Sequence, residues 1–204
     1  MSSRNLARLY GGLVLFGISL TLMLRAGLGL GPWDVLHQGI SRHTGISIGL
    51  VANLVAVAVL LLWIPLRQRP GLGTVSNVIV VGLVTDATLA LTAPVHDLAA
   101  RTGLLVAGIL ANAVATGLYV GAGFGPGPRD GLMTGLAARG HSLRLVRTSI
   151  ELTALGAGWL LGGTVGPGTL AYALAIGPLV GWLMPRLAVT PRNPRGIVLQ
   201  KGQS

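Results

Sequence analysis

Six stretches of this chain stay apolar for about the length of a lipid bilayer: 6–24, 46–66, 75–91, 103–120, 145–161 and 170–187. The hydrocarbon core of a bilayer, about 30 Å thick, takes roughly 20 mainly apolar residues as a helix. The chain is therefore expected to be all-α and transmembrane, with six spans. Only 10% of its 204 residues are charged and mean hydropathy is +0.73, whereas a soluble domain carries about 25% charge. That shortfall excludes an ordinary soluble enzyme and a disordered tail. The 32 Gly and 11 Pro lie partly within the apolar runs, where membrane helices tolerate them, and partly in the turns between. With no Cys, disulfides, thiolate-held zinc or iron–sulfur clusters and thiol catalysis are excluded. The fifth run is the shortest and carries Arg147 and Glu151. Arg4 and Arg8 precede the first run as in a secretory signal, but no small-residue cleavage pattern follows and Arg25 does, so a retained helix is expected.

A net charge of +10 would suggest nucleic acid in a soluble protein. Here the positions of the charges argue against that partner. With six spans, the loops on one side hold Arg4, Arg8, Arg67, Arg69, Arg129, Arg139, Arg144, Arg147, Arg186, Arg192, Arg195 and Lys201, and the other side holds Arg25, Arg42 and Arg101. Twelve against three places both termini in the cytoplasm, because basic residues collect in cytoplasmic loops. The basic tail, 189–204, is expected to meet anionic lipid.

The chain also repeats itself. Between residues 26–43 and 122–139 there are 8 identities in 18 positions at an offset of 96, where composition alone gives about two. Gly45, Ser47, Leu50 and Val51 then match Gly140, Ser142, Leu145 and Val146 after a one-residue slip, and Gly71, Gly73, Thr74 and Gly82 match Gly166, Gly168, Thr169 and Gly177. Upstream, Gly12 and Leu22 match Gly108 and Leu118. Two units follow, 1–100 and 101–188, with the tail beyond. Each holds three spans, and three is odd, so the second copy must enter the membrane the other way up. Each copy also holds a short segment, 32–43 or 128–139, that opens with Pro after Gly-rich backbone. Pro is a good first helical residue, and both read as short interfacial or re-entrant helices. Inverted repeats are an architecture of secondary transporters, whose sites lie near the midplane at Gly/Pro-interrupted helices in matching positions.

The doubled Gly-x-Gly-x-Gly-Pro-x-Asp (Gly27 to Asp34, Gly123 to Asp130), each after a first span and followed by Gly-x-Ser, resembles the YczE/YitT-type small bacterial membrane proteins, the YczE-like branch in particular. The likeness covers roughly residues 7–188. It implies a multi-span bacterial inner-membrane protein and carries over no functional residue. The second copy departs from the first: Arg129 stands for Trp33 and Gly131 for Val35.

Few residues carry chemistry. Asp34 and Asp130 sit in the first turns of the short helices, as candidates for a solute or ion. The simpler reading is helix capping, since a carboxylate there answers free N–H groups and the helix dipole. An acid at a helix N-terminus competes with an anionic ligand, so these turns favour a cation or a polar neutral group. Glu151 and Asp86 lie within spans, where charges face protein or water and mark pathways. The competing readings are a local Arg147–Glu151 pair and, for Asp86, a place near the interface. Asn53 and Asn77 join the candidate list, and with Asn112 they also suit interhelical hydrogen bonds. Ala173, Gly177 and Gly181 form a small-residue seam for helix contact, and Gly117 and Gly121 a shorter one. Trp63, Trp159 and Trp182 read as interfacial anchors.

The histidines, His37, His43, His96 and His141, lack metal-ligand spacing, and His37 and His43 are expected to be solvated. Gly45-Ile-Ser47-Ile-Gly49 matches a hydrolase pattern that needs a preceding strand; Ser47 reads instead as a helix cap. No catalytic residue, metal ligand or cofactor site is assigned. The expected function is a small secondary transporter or permease for an unidentified small solute held between the copies. A non-transporting scaffold or accessory subunit is the alternative. The lipid bilayer is the expected partner, and homodimerisation would enlarge the volume that six spans enclose.

Overall fold

A computed structural model describes residues 3–188. Eight helices follow one another: α1 (Ser3–Ala26), α2 (Pro32–Thr44), α3 (Ile48–Leu66), α4 (Leu72–Leu91), α5 (Leu98–Gly121), α6 (Pro128–Ala137), α7 (Leu143–Leu160) and α8 (Pro167–Leu187). No strand occurs among the described residues. Five helices, α1, α3, α4, α5 and α8, are long and apolar enough to cross a membrane. The fifth expected span, α7, is outside that class: its 18 residues include Arg144, Arg147 and Glu151. Large apolar side chains cover the outside, with Ile64 71%, Leu160 84% and Leu91 87% exposed. A solvent of lipid makes such a surface cheap; water does not. The basic tail, 189–204, lies outside the described residues.

The centre is the crossing of α1 and α5. Leu9, Leu13, Phe16, Leu20 and Met23 of α1 are buried with Leu105, Ile109, Ala115 and Tyr119 of α5. Two glycines let the backbones meet. A Cβ on Gly12 would lie 2.7 Å from the Tyr119 nitrogen and 3.0 Å from the Ala115 oxygen; one on Gly108 would lie 2.7 Å from Met23 Cγ and 3.1 Å from the Ser19 oxygen. Early α1 therefore meets late α5 and late α1 meets early α5, so the two helices run antiparallel. Gly12 and Gly108 are 96 residues apart, as are Ser19 and Ala115, and Met23 and Tyr119. The contact is the same contact made twice.

The same reciprocity holds at the glycine-rich turns. Gly31 and Gly127 cap α2 and α6 with nearly equal backbone angles (φ −63°, ψ 155°; φ −64°, ψ 161°), each followed by Pro. Gly29 and Gly125 hold φ of +119° and +111°, a region open essentially to glycine alone. Each turn then binds the other copy. The amide of Gly73, in the first turn of α4, donates to Phe124 O at 2.8 Å, and Gly168 of α8 donates to Leu28 O at 2.8 Å. The Thr74 hydroxyl donates to Pro126 O at 2.8 Å, and Thr169 Oγ1 accepts from the Leu30 amide at 3.1 Å. The three arginines set apart by the charge count also satisfy backbone. Arg25 reaches Leu89 O (2.5 Å) and Thr92, Arg101 reaches Ala26 O (2.6 Å), and Arg42 reaches Gly162 O (2.5 Å). Arg25 and Arg101 thus tie up carbonyls at the C-terminal ends of α4 and α1, which favour positive charge.

The two halves differ in three places. α2 packs on α7, and α6 on α3. At the first contact a Cβ on Gly158 of α7 would strike Val35 and Leu36 of α2; at the second, one on Gly131 of α6 would strike the Trp63 ring of α3. Large and small have changed sides, which explains why Gly131 stands where the first copy has Val35. Trp63 is consequently 2% exposed, with its Nε1 donating to Pro128 O at 2.9 Å. It anchors α6 and not an interface, as its sequence position had suggested; Trp159 and Trp182 are 64% and 59% exposed.

Second, α3 and α4 are clasped. Gly49 and Gly82 are in close backbone contact, Asn53 Oδ1 presses on Gly82, and the Asn53 amide reaches Ile79 O at 3.5 Å. Asp86 Oδ2 accepts from the Ser47 hydroxyl at 2.6 Å, and Oδ1 accepts from the Gly49 amide at 2.8 Å. Ser47 holds the N-cap position of α3, but the cap itself is supplied by Asp86 from α4.

Third, α7 and α8 make no comparable contact. Nothing lies within 4 Å of a Cβ on Gly177 or Gly181. The expected seam of Ala173, Gly177 and Gly181 is thus not a helix contact among the described residues, because its would-be partner α7 stands away; Ala173 and Gly177 line a cavity instead. The shorter seam is occupied, with Gly117 against Leu187 and Gly121 against Ala188.

These differences set unequal costs for equivalent substitutions. Gly82→Ala forces α3 from α4 and should cost about 1–3 kcal/mol, whereas Gly177→Ala, in open space, should be neutral or gain up to about 1 kcal/mol of helix propensity. Thermal unfolding in detergent reads the contrast, and equal effects would contradict the clasp. By the same measurement Asp86→Ala, which uncaps α3, should cost about 0.5–2 kcal/mol.

Candidate binding site between the two halves

Two cavities flank the central crossing. One, about 480 Å³, opens where α7 and α8 diverge. The other, about 70 Å³, lies on the α3–α4 side. Trp33, Tyr119 and Arg129 stand in the walls of both. Trp33 and Arg129 are the variable residues of the two Gly-Pro-x-Asp turns, in the first turns of α2 and α6. The turns converge because each is held by the opposite copy's α8 or α4.

The structure distributes the sequence candidates between these cavities. Asp34, Asn53 and Asn77 line the smaller; Asp130 and Glu151 line the larger; Asp86 lines neither and is spent on the α3 cap. Asp34 is buried, with His37 Nδ1 at 3.7 Å from its Oδ1. His37 is thus not the solvated residue that its short helix suggests, because α2 lies within the bundle. Asp130 Oδ2 accepts from the Tyr119 hydroxyl at 3.1 Å. Among the described residues no first-turn amide donates to either carboxylate, so neither is used up as a cap. Glu151 accepts from Arg147 Nε at 3.0 Å, the local pair that its i,i+4 spacing suggests. Asn112, fully buried, donates to Ser19 Oγ at 2.9 Å and accepts from the Tyr172 hydroxyl at 3.2 Å.

Sequence reasoning missed three residues here. Tyr119 and Tyr172 looked like ordinary span residues. Arg129 was visible as a departure from the repeat and as one of the twelve basic residues counted to the cytoplasmic loops; the structure puts it in the walls of both cavities instead. The available signal was its place: a cation at the position where the other copy has Trp, beside two glycines and a proline. Its guanidinium carbon lies 5.6 Å from the centre of the Phe16 ring, and that ring meets Tyr119 edge-on at 6.0 Å. Among the described residues no carboxylate oxygen lies within 4.0 Å of its nitrogens. Trp33 is 8% exposed and its Nε1–H has no acceptor among the described residues.

Comparison with known proteins agrees with this membrane architecture. The family model of DUF6198, a family of unknown function, matches residues 3–185. An uncharacterised protein of Haemophilus influenzae is 40% identical over 192 residues, covering 94% of this chain and 88% of its own length. The uncharacterised membrane protein YczE of Bacillus subtilis is 32% identical over 184 residues, 87% of this chain and 84% of that protein. YyaS, uncharacterised and also from B. subtilis, is 27% identical over 184 residues, 86% and 90% of the two chains. No solved structure shows a significant match. The chain belongs to the DUF6198 family and is a YczE-like, multi-helix membrane protein.

Proposed function

We propose that the protein is a small secondary transporter of the bacterial inner membrane. In this reading residues 1–100 and 101–188 are two three-span repeats of inverted topology, with α2 and α6 re-entrant and both termini cytoplasmic. The antiparallel α1–α5 crossing and the reciprocal turn contacts support the inversion, since a pseudo-two-fold axis between the copies produces both. The reading counts α7 as a span: Arg147 and Glu151 pair with each other beside the larger cavity, where an intramembrane charge is tolerated. The observation that carries the function is the pair of unequal cavities separated by Trp33, Tyr119 and Arg129. The larger has a volume typical of small-molecule sites, about 300–1,000 Å³. Its side of the molecule is splayed and the other is clasped. Exchanging the two copies' conformations would close α7 on α8 through Gly177 and open α3 from α4 at Gly82, so a solute would meet each face in turn.

The open Gly177–Gly181 strip of α8, with Leu170 and Leu174 exposed beside it, favours a second reading: a scaffold or accessory subunit that seats a partner helix, or a second copy, there.

Two experiments test the proposal. Liposome flux with a panel of small solutes should find uptake that Asp130→Asn lowers at least tenfold, with Asp34→Asn and Glu151→Gln also impaired. Uptake unchanged in all three removes the site. No flux together with a stable heteromeric complex on purification supports the accessory reading. The chain has no Cys, so single Ser47→Cys and Ser142→Cys variants can be labelled without background. The proposal expects them at opposite faces of the bilayer; the same face for both ends the inverted-repeat account.

A further inference from the structure

Resting on the reading that a solute occupies this cavity, the geometry points to a solute carrying one anionic group, held by Arg129 and Trp33. Two donor groups stand at the junction of the cavities. One is the Arg129 guanidinium, which lies 5.6 Å from the centre of the Phe16 ring and beside the Tyr172 hydroxyl, with no carboxylate oxygen within 4.0 Å among the described residues. The other is the Trp33 Nε1–H, buried without a partner. A buried donor left unpaired is costly, and native folds keep few of them. Arg129 offers a planar fork suited to two oxygens of a carboxylate or a similar oxyanion. Both side chains sit in first helical turns, where free amides and the helix dipole add to the attraction for an anion.

Several of the other polar groups around the larger cavity are engaged with one another. Arg147 is paired with Glu151, Tyr119 donates to Asp130, and Tyr172 donates to Asn112. The buried polar atom left without a partner, Trp33 Nε1–H, needs an acceptor. This reverses the preference for a cation that the two Asp residues suggest by themselves, because Asp34 and Asp130 make no close ion pair with the guanidinium and the open donor beside it calls for oxygen. Asp34, Asp130 and Glu151 line the same cavities as Arg129, and they disfavour a multiply charged anion. A monoanion fits, and so does a zwitterion whose ammonium lies towards Asp130.

Binding is tested separately from transport. Purified protein in detergent is titrated with lactate, alanine, choline and glycerol while its thermal midpoint is followed. The same solutes are then offered to proteoliposomes. We expect lactate or alanine to raise the midpoint and choline and glycerol to leave it unchanged. Arg129→Gln should weaken that binding at least tenfold, Arg129→Lys less, and Trp33→Phe, which keeps the ring but loses the N–H, about three- to tenfold. Lysine and phenylalanine keep the charge and the bulk respectively, so misfolding of the Gln variant alone would not decide the matter. Binding of choline or glycerol only, binding unaffected by Arg129→Gln and Trp33→Phe, or no binding by any probe overturns the inference. Anion binding without flux leaves it standing and removes the transport reading; flux of choline or glycerol does the reverse.

Discussion

The antiparallel crossing of α1 and α5 is the constraint on which the rest depends. In lipid no hydrophobic force drives helices together, so association rests on packing and interhelical hydrogen bonds. Gly12 and Gly108 permit backbone approach, and Ser19, Asn112 and Tyr172 link α1, α5 and α8 by side-chain bonds within the same core. Because the crossing is made from two copies of one contact, it fixes their relation. It also decides where the Gly-Pro-x-Asp turns lie: each leaves its copy's first helix and is received by the other copy's last one. The convergence of Trp33 and Arg129 on shared cavities follows from that exchange.

Two halves of similar sequence need not stay symmetric. The exchange of bulk between Val35–Gly158 and Gly131–Trp63 keeps both cross-copy contacts filled while the residues diverge, as close packing demands. The clasp is a different kind of asymmetry. Asp86 and Asn53 have no counterpart that could do their work: the equivalents of Gly49 and Asp86 are Arg144 and Gly181. Arg144 and Gly181 leave α7 and α8 without the counterparts of the bonds that hold α3 to α4. The second half is left free to stand open, and the larger cavity is the result.

Much of this was legible in the sequence. The eight helical segments of the described residues follow from hydropathy, from Pro after Gly, and from the repeat, and their limits differ by a few residues. Glycine told less. Gly12 and Gly108 matched across the repeat, yet nothing in one chain says which matched glycines meet a neighbour and which, like Gly177, face open space; that depends on where α7 stands. Trp63 misled for the same reason. An aromatic near the end of an apolar run is usually an anchor, and only the absence of a side chain at Gly131, on a helix 68 residues away, makes room for it inside. Acidic residues stood out because they are rare. Asp86 then proved to be bound up with an amide and a hydroxyl, and Arg129 was overlooked among fifteen basic residues.

The surroundings of Arg129 separate it from those others. It has a cation–π contact with Phe16 and the Tyr172 hydroxyl beside it, the first worth about 0.5–1 kcal/mol at exposed sites and about 2 when desolvated. Arg25, Arg42 and Arg101 instead bind backbone carbonyls at 2.5–2.6 Å. A fold that kept Arg129 for its own stability would place a carboxylate against it, and Asp130 is the next residue in the chain. Asp130 turns instead to Tyr119, which leaves the guanidinium at the junction of two cavities with no carboxylate oxygen within 4.0 Å among the described residues.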